Sequence, residues 1–329
     1  MVRSREGPVD IVKWFSLTTF DIISDLAFGQ PEGCLDNADQ PWLSVMGARA
    51  KSIVWYQLSI YYRAEWLLKW IAPKSLTAAR QQHMQMLAAK VQRRLKESSH
   101  TKDFMSYILD NKTEKLTNAE LVVMASAFLV AGSGTSARAL SATIFYLATN
   151  PVKLQKAIGE VRNTFQEAEA ITIRSTSQLR YLQACIDEAM RLHPPQPGGL
   201  PRFVPGVGEE IEGKFVPGGT AVGVHQLSSG QADWNFSRAK EFIPERWLEQ
   251  SPPSEFAGDD RGSRQPFSYG PRNCIGMNLA YAEMLLIMAK LLFAFDIEQD
   301  EGMNDWTSRQ KIYLTWEQIP LLVRLSVRG

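Results

Sequence analysis

The chain has 329 residues, a hydrophobic fraction of 45% and a formal net charge of +1. That is enough apolar material for the core of one large domain spanning 1–329, and the near-neutral balance argues against a nucleic-acid partner, which demands a basic face. Three distant cysteines, Cys34, Cys185 and Cys274, and four scattered histidines supply neither a disulfide framework nor zinc-ligand spacing, so a reducing compartment is expected.

Residues Met1 to Pro8 have no apolar run of the kind a signal peptide carries. Residues 8–28 read as an apolar-rich helix, with Pro8 near its start and Gly29 near its end. Residues 41–98 hold two or three more helices. The aromatic stretch from Trp55 to Trp70 is expected to pack in the core or between helices, with a membrane surface as the alternative, and the basic run Lys90 to Lys96 to form a solvated helix face. Thr117-Asn-Ala-Glu120 is a capping box that opens a long helix, closed by Asn150-Pro151. At 1.5 Å per residue it spans roughly 45–50 Å. Its most apolar stretch, Leu121 to Gly132, is too short to cross a bilayer, so no spanning helix is expected.

A helix around 179–193 carries Leu182, Cys185, Ile186 and Ala189 at helical spacing. From Gly198 to Val224 the texture becomes rich in Gly, Pro and Val, which predicts short strands. Val216-Pro217-Gly218-Gly219 suits a type II turn. A loop-rich passage follows over 226–273, then a helix over 275–294, then short strands at 312–315 and 321–326. The predicted class is mainly α with small β-sheets.

The sharpest feature is Phe267-Ser-Tyr-Gly270-Pro-Arg272-Asn-Cys274-Ile-Gly276. A metal-binding cysteine must be a thiolate, and amides at a helix start stabilise that charge. Glycines at 270 and 276 let backbone approach a flat group closely, and Arg272 can meet a carboxylate with a charge-assisted bond. Most lone cysteines are buried and structural, yet the five fixed positions match by chance only on the order of 10⁻⁵ to 10⁻⁴.

Phe-x-x-Gly-x-Arg-x-Cys-x-Gly resembles the heme-binding loop of the cytochrome P450 family. The resemblance implies Cys274 as the axial ligand of heme iron, with Arg272 on a heme propionate, Phe267 shielding the sulfur, and Gly270 and Gly276 beside the ring. Glu188-Ala-Met-Arg191 is by itself a weak motif, but it is followed by Leu192-His-Pro-Pro195 as in the family. Phe242-Ile-Pro-Glu-Arg246-Trp resembles the segment that supplies a third member, which implies a buried structural set of Glu188, Arg191 and Arg246. Ala131-Gly132-Ser-Gly134-Thr135-Ser136 sits inside the long helix, where two glycines each cost about 1 kcal/mol against alanine. Close packing against a neighbouring helix explains such glycines equally well. The resemblance instead implies a groove for dioxygen at Ala131 and proton delivery by Thr135. Gly134 departs from the family, which usually has an acidic residue there, and this puts the proton route in doubt. Arg202, in Leu200-Pro-Arg, matches a second propionate contact, and residues 196–200 and 312–315 are implied to border the pocket.

The stretch Asp10 to Asp21, through Ala27-Phe-Gly29, is similar to filamentous-fungal members acting on terpenoid or polyketide metabolites. Relative to the family, the anchor, first sheet strands and a propionate-binding helix are absent, so a P450 fold truncated at its amino end is expected. The activity implied is heme-thiolate monooxygenation of an apolar small molecule, with NADPH electrons delivered by a reductase at the cytosolic face of the endoplasmic reticulum membrane. Two alternatives stay open: a heme enzyme with isomerase, dehydratase or peroxide-using chemistry, and a non-catalytic remnant.

Overall fold

The computed structural model describes residues 7–37, 54, 57–64, 66, 74–96, 102–110, 116–248 and 254–328. Six helices frame the site: α1 (Ile11–Phe28), α2 (Lys74–Lys96), α3 (Asn118–Ala148), α4 (Pro151–Thr164), α5 (Arg180–Leu192) and α6 (Met277–Ala294). Seven short strands accompany them among the described residues: β1 (Val9–Asp10), β2 (Arg202–Phe203), β3 (Gly208–Ile211), β4 (Lys214–Pro217), β5 (Ala221–Val222), β6 (Phe295–Gln299) and β7 (Leu322–Val327). All pairings are antiparallel, in a β1-β7-β6 sheet and the ribbons β2-β5 and β3-β4.

The first helix starts three residues after Pro8. Asp10 is its N-cap, accepting hydrogen bonds from the Val12 and Lys13 amides at 3.1 and 3.4 Å. The same oxygen accepts the Leu321 amide at 3.2 Å. The residues around Pro8 are thereby extended, and Val9 pairs with Val323. Gly29, at φ 71°, closes the helix in the left-handed conformation that glycine tolerates.

α3 opens as its capping box predicts, with the Thr117 amide donating to Glu120 Oε2 at 2.7 Å and the Glu120 amide to Thr117 Oγ1 at 3.3 Å. Its 31 residues span about 46 Å, and Pro151 begins α4. The carboxy-terminal half of α3 is a core element packed with α4, α5 and α6 through Leu140, Ile144, Ile158, Ile186 and Met288. Its amino-terminal half joins α1 and α2 through Leu129, Phe20 and Leu87.

Several local expectations are corrected. The turn lies one residue later than predicted: Thr220 N–H bonds Pro217 O at 3.3 Å, and Gly219 carries the positive φ of 79°. Residues 312–315 form no strand, only an isolated bridge between Ile312 and Trp316, because local bonds such as Tyr313 N–H to Thr315 O occupy the backbone. β6 follows α6 directly, unannounced by any Gly or Pro. The stretch 55–70 lies partly outside the described residues; within it, Tyr61, Tyr62 and Trp66 are exposed, not packed between helices. Their amphipathic rings tolerate water at one end. By length and composition alone, α3 and α6 are long and apolar enough to cross a membrane. Both nonetheless pack on other helices of the array.

Candidate functional site

The loop before α6 is drawn tight by its own backbone. Ser268 and Gly270 adopt φ 63° and 77°, Gly270–Arg272 forms a single 3-10 turn, and Cys274 N–H donates to Phe267 O at 2.8 Å. Gly276 is the N-cap of α6 and offers no side chain to the first-turn amides, which leaves the positive end of the helix beside the cysteine. Cys34 and Cys185 are buried, whereas Cys274 is free and exposed. A Cβ at Gly276 would sit 3.8 Å from Cys274 Sγ. The Phe267 ring leans on Tyr281 at 5.2 Å between centroids. The polypeptide alone therefore does not provide the shielding of sulfur expected from Phe267. Tyr281 donates to Asp187 Oδ1 at 2.6 Å and Arg264 Nη2 to the same oxygen at 2.8 Å, which ties the loop to α5.

The cysteine loop and the strand segment 200–203 expose groups with unmet needs. Ile275 is 100% exposed, a poor arrangement for an isoleucine facing water. Arg272 and Arg202 are exposed, and neither forms a salt bridge among the described residues; Arg202 bonds only Pro201 O. Leu200 and Phe203 are also exposed. An accessible thiol, two cations without counter-ions and bare apolar side chains suit a flat iron macrocycle bearing carboxylates. The residues fit the group.

The glycine-broken turn of α3 divides into two functions. Gly132 is a packing residue, since a Cβ there would lie 2.6 Å from Ile23 Cγ1 on α1. Gly132→Leu is expected to lower stability by about 1–3 kcal/mol through overpacking. Unchanged urea denaturation would remove that explanation. Gly134 is different: its imagined Cβ meets only the Arg138 guanidinium, at 2.6 Å. Ala131 is exposed and Thr135 half-buried. The Thr135 hydroxyl donates to Ala131 O at 2.6 Å, which spends its proton on the helix backbone.

Glu188, Arg191 and Arg246 meet in the interior, each at most 1% exposed. Arg191 grips both Glu188 oxygens, Nε at 2.8 Å and Nη2 at 2.7 Å, and Arg246 Nε reaches Oε1 at 3.1 Å. Two members were not legible in the sequence. Trp247 Nε1 donates to Glu188 Oε2 at 2.8 Å, and Asp259 pairs with Arg246, balancing two cations with two carboxylates. A further carboxyl was also missed. Glu283 on α6 is buried beside the Ser136 hydroxyl, and burial pushes its pKa from 4.5 up to about 7. The unfolded chain releases this proton first as pH rises, so stability falls between about pH 4.5 and 7. The loss amounts to roughly 3 kcal/mol. Glu283→Gln should flatten that slope and raise the melting temperature at pH 8 more than at pH 5; equal shifts at both values would contradict the burial argument.

Comparison with known proteins agrees with this geometry. The family model described as Cytochrome P450 matches residues 2–323. The chain is 53% identical to Cytochrome P450 monooxygenase alt3 of Alternaria solani, over 98% of this chain and 63% of that protein. It is 48% identical to alt1 of the same organism, over 97% and 62%. With the averantin hydroxylase of Dothistroma septosporum it shares 40% identity, over 99% and 63%. The chain thus spans a little under two thirds of the length of these relatives. By its matched length and by these identities, the chain belongs to the cytochrome P450 family.

Proposed function

We propose that the chain carries the heme of a monooxygenase that inserts one oxygen atom from dioxygen into an apolar small molecule of secondary metabolism, such as a terpenoid or polyketide. The observation that carries this reading is the free, exposed Cys274 at the uncapped start of α6. The relatives named as monooxygenases and as averantin hydroxylase support it. When bound, the heme supplies dioxygen activation.

The chain's own residues do the rest. Cys274 ligates the iron from the loop that Phe267 closes. Arg272 and Arg202 hold the heme carboxylates with charge-assisted bonds. Gly270 and Gly276 would let the backbone approach the ring closely, and Ala131 would leave room for dioxygen. Thr135 would assist oxygen activation from α3 by releasing its hydroxyl from the Ala131 carbonyl, since Gly134 bears no acid. Glu188, Arg191 and Arg246 hold the segments beneath in register. Electrons come from an NADPH-dependent reductase, and the protein works at the cytosolic face of the endoplasmic reticulum membrane.

Gly134 favours a second reading, in which heme serves isomerase, dehydratase or peroxide-using chemistry. The reduced, heme-loaded protein should give a strongly red-shifted Soret band with carbon monoxide. Substrate turnover should then require NADPH and reductase. Turnover with peroxide alone would favour the second reading, and a chain that takes up no heme would be a non-catalytic remnant.

A further inference from the structure

We propose that Arg138 is a binding residue for a carboxylate carried by the substrate, so that the accepted molecule is an apolar acid. This inference rests on the heme reading above and names the substrate class of the same cleft.

Placement is the first argument. Along α3 the exposed Ala127 and Ala131 and the half-buried Thr135 and Arg138 recur at helical spacing, while Leu129, Ser133, Ser136 and Leu140 are buried. Arg138 therefore shares the side of the helix occupied by Ala131 and Thr135, one turn beyond the hydroxyl.

Charge is the second. Arg94, Arg191, Arg246 and Arg264 are buried or nearly so, and each pairs with Asp103, Glu188 or Asp187. Arg138 pairs with no carboxylate among the described residues. Its Nε donates to Trp316 O at 2.9 Å and its Nη1 to Gly134 O at 2.6 Å, and Nη2 takes no bond among them. Two backbone carbonyls fix the guanidinium but do not neutralise it. Burial alone pulls its pKa down to about 10, which leaves it a cation at neutral pH. The adjacent His193, stacked on Trp316 at 4.0 Å, adds no charge there, because burial drives its pKa to about 3. A desolvated cation without a counter-ion is costly, and an arriving carboxylate relieves that cost.

The third argument concerns Gly134. An acid at that position would stand four residues before Arg138 on one helix face and would pair with it. Glycine both gives the guanidinium its space and leaves the charge available to a ligand. The departure at 134 and the lone cation at 138 are then one feature.

The test compares dodecanoate with dodecan-1-ol on the heme-loaded full chain. Binding is read by tryptophan fluorescence and by displacement of the Soret band. The acid should bind roughly tenfold tighter than the alcohol, about 1.4 kcal/mol. R138Q should bring the two to parity. G134E should do the same by supplying an internal partner, and it keeps the Arg138–Trp316 contact if R138Q fails to fold. Parity in the unsubstituted protein, or a preference that survives whichever of these variants folds, overturns the proposal. If Arg138 instead held a heme carboxylate, the unsubstituted protein would show parity and R138Q would lose heme. The carbon monoxide band is recorded first: its absence sinks the heme reading, while the fluorescence comparison still decides this one.

Discussion

Cys274→Ala is expected to abolish the red-shifted carbon monoxide band completely and to leave the fold standing. The two parts follow from one fact, the exposure of this cysteine. No core contact is lost when its sulfur is removed, so the change in stability should stay within about 0.5 kcal/mol. The chemistry, in contrast, has no substitute thiolate: the other two cysteines, Cys34 and Cys185, are buried. Cys185→Ala is the matched control. That thiol is fully buried, and burial raises its pKa well above the usual value, so it is inert as a ligand. The control should keep the band while losing stability to a small cavity. Urea denaturation of the apoproteins and carbon monoxide spectra of the loaded ones separate the two outcomes. A band that persists in Cys274→Ala would end the ligand assignment.

The parts of this molecule that could be read from the sequence are those in which partners sit close along the chain. The Thr117–Glu120 capping box and the Glu188–Arg191 pair are both three-residue relations, visible as spacing and present as hydrogen bonds. Arg246 lies 58 residues from Glu188, beyond any periodicity, and only the resemblance of its segment suggested it. Nothing in the sequence marks Asp259, because a loop contact has no period. β6 was hidden for another reason: Ala294 runs into Phe295 with no Gly or Pro to mark a boundary, and the alternation in Phe295–Gln299 is only five residues long. The glycines at 132 and 134 looked alike as letters. Only the neighbours, Ile23 for one and Arg138 for the other, distinguish a packing role from an electrostatic one.

The largest loss of stability is expected from Glu188→Gln. The Glu188 carboxylate accepts five hydrogen bonds, from Arg191 Nε and Nη2, Arg246 Nε, the Ile243 amide and Trp247 Nε1. All three charged side chains are essentially inaccessible to water. With the carboxylate gone, Asp259 alone faces two buried guanidinium groups, and the amide nitrogen of glutamine turns a donor toward donors. Breaking a buried ion pair from one side costs about 3–5 kcal/mol, against a total folding stability of roughly 5–15 kcal/mol for a domain. A steep fall in the denaturation midpoint is therefore expected. The surface pair Arg238–Glu241 is the contrast. Its side chains are about half exposed, and Glu241→Gln should leave stability nearly unchanged. The damage also has a route to the cysteine loop. Glu188 adjoins Asp187, whose carboxylate holds Arg264 and Tyr281, and the Tyr281 ring supports Phe267. Glu188→Gln protein that still folds at low temperature should accordingly bind heme more weakly than the Glu241→Gln control. Equal heme affinity and equal denaturation midpoints for the two variants would show that the buried cluster neither stabilises the fold nor steadies the loop that presents the thiolate.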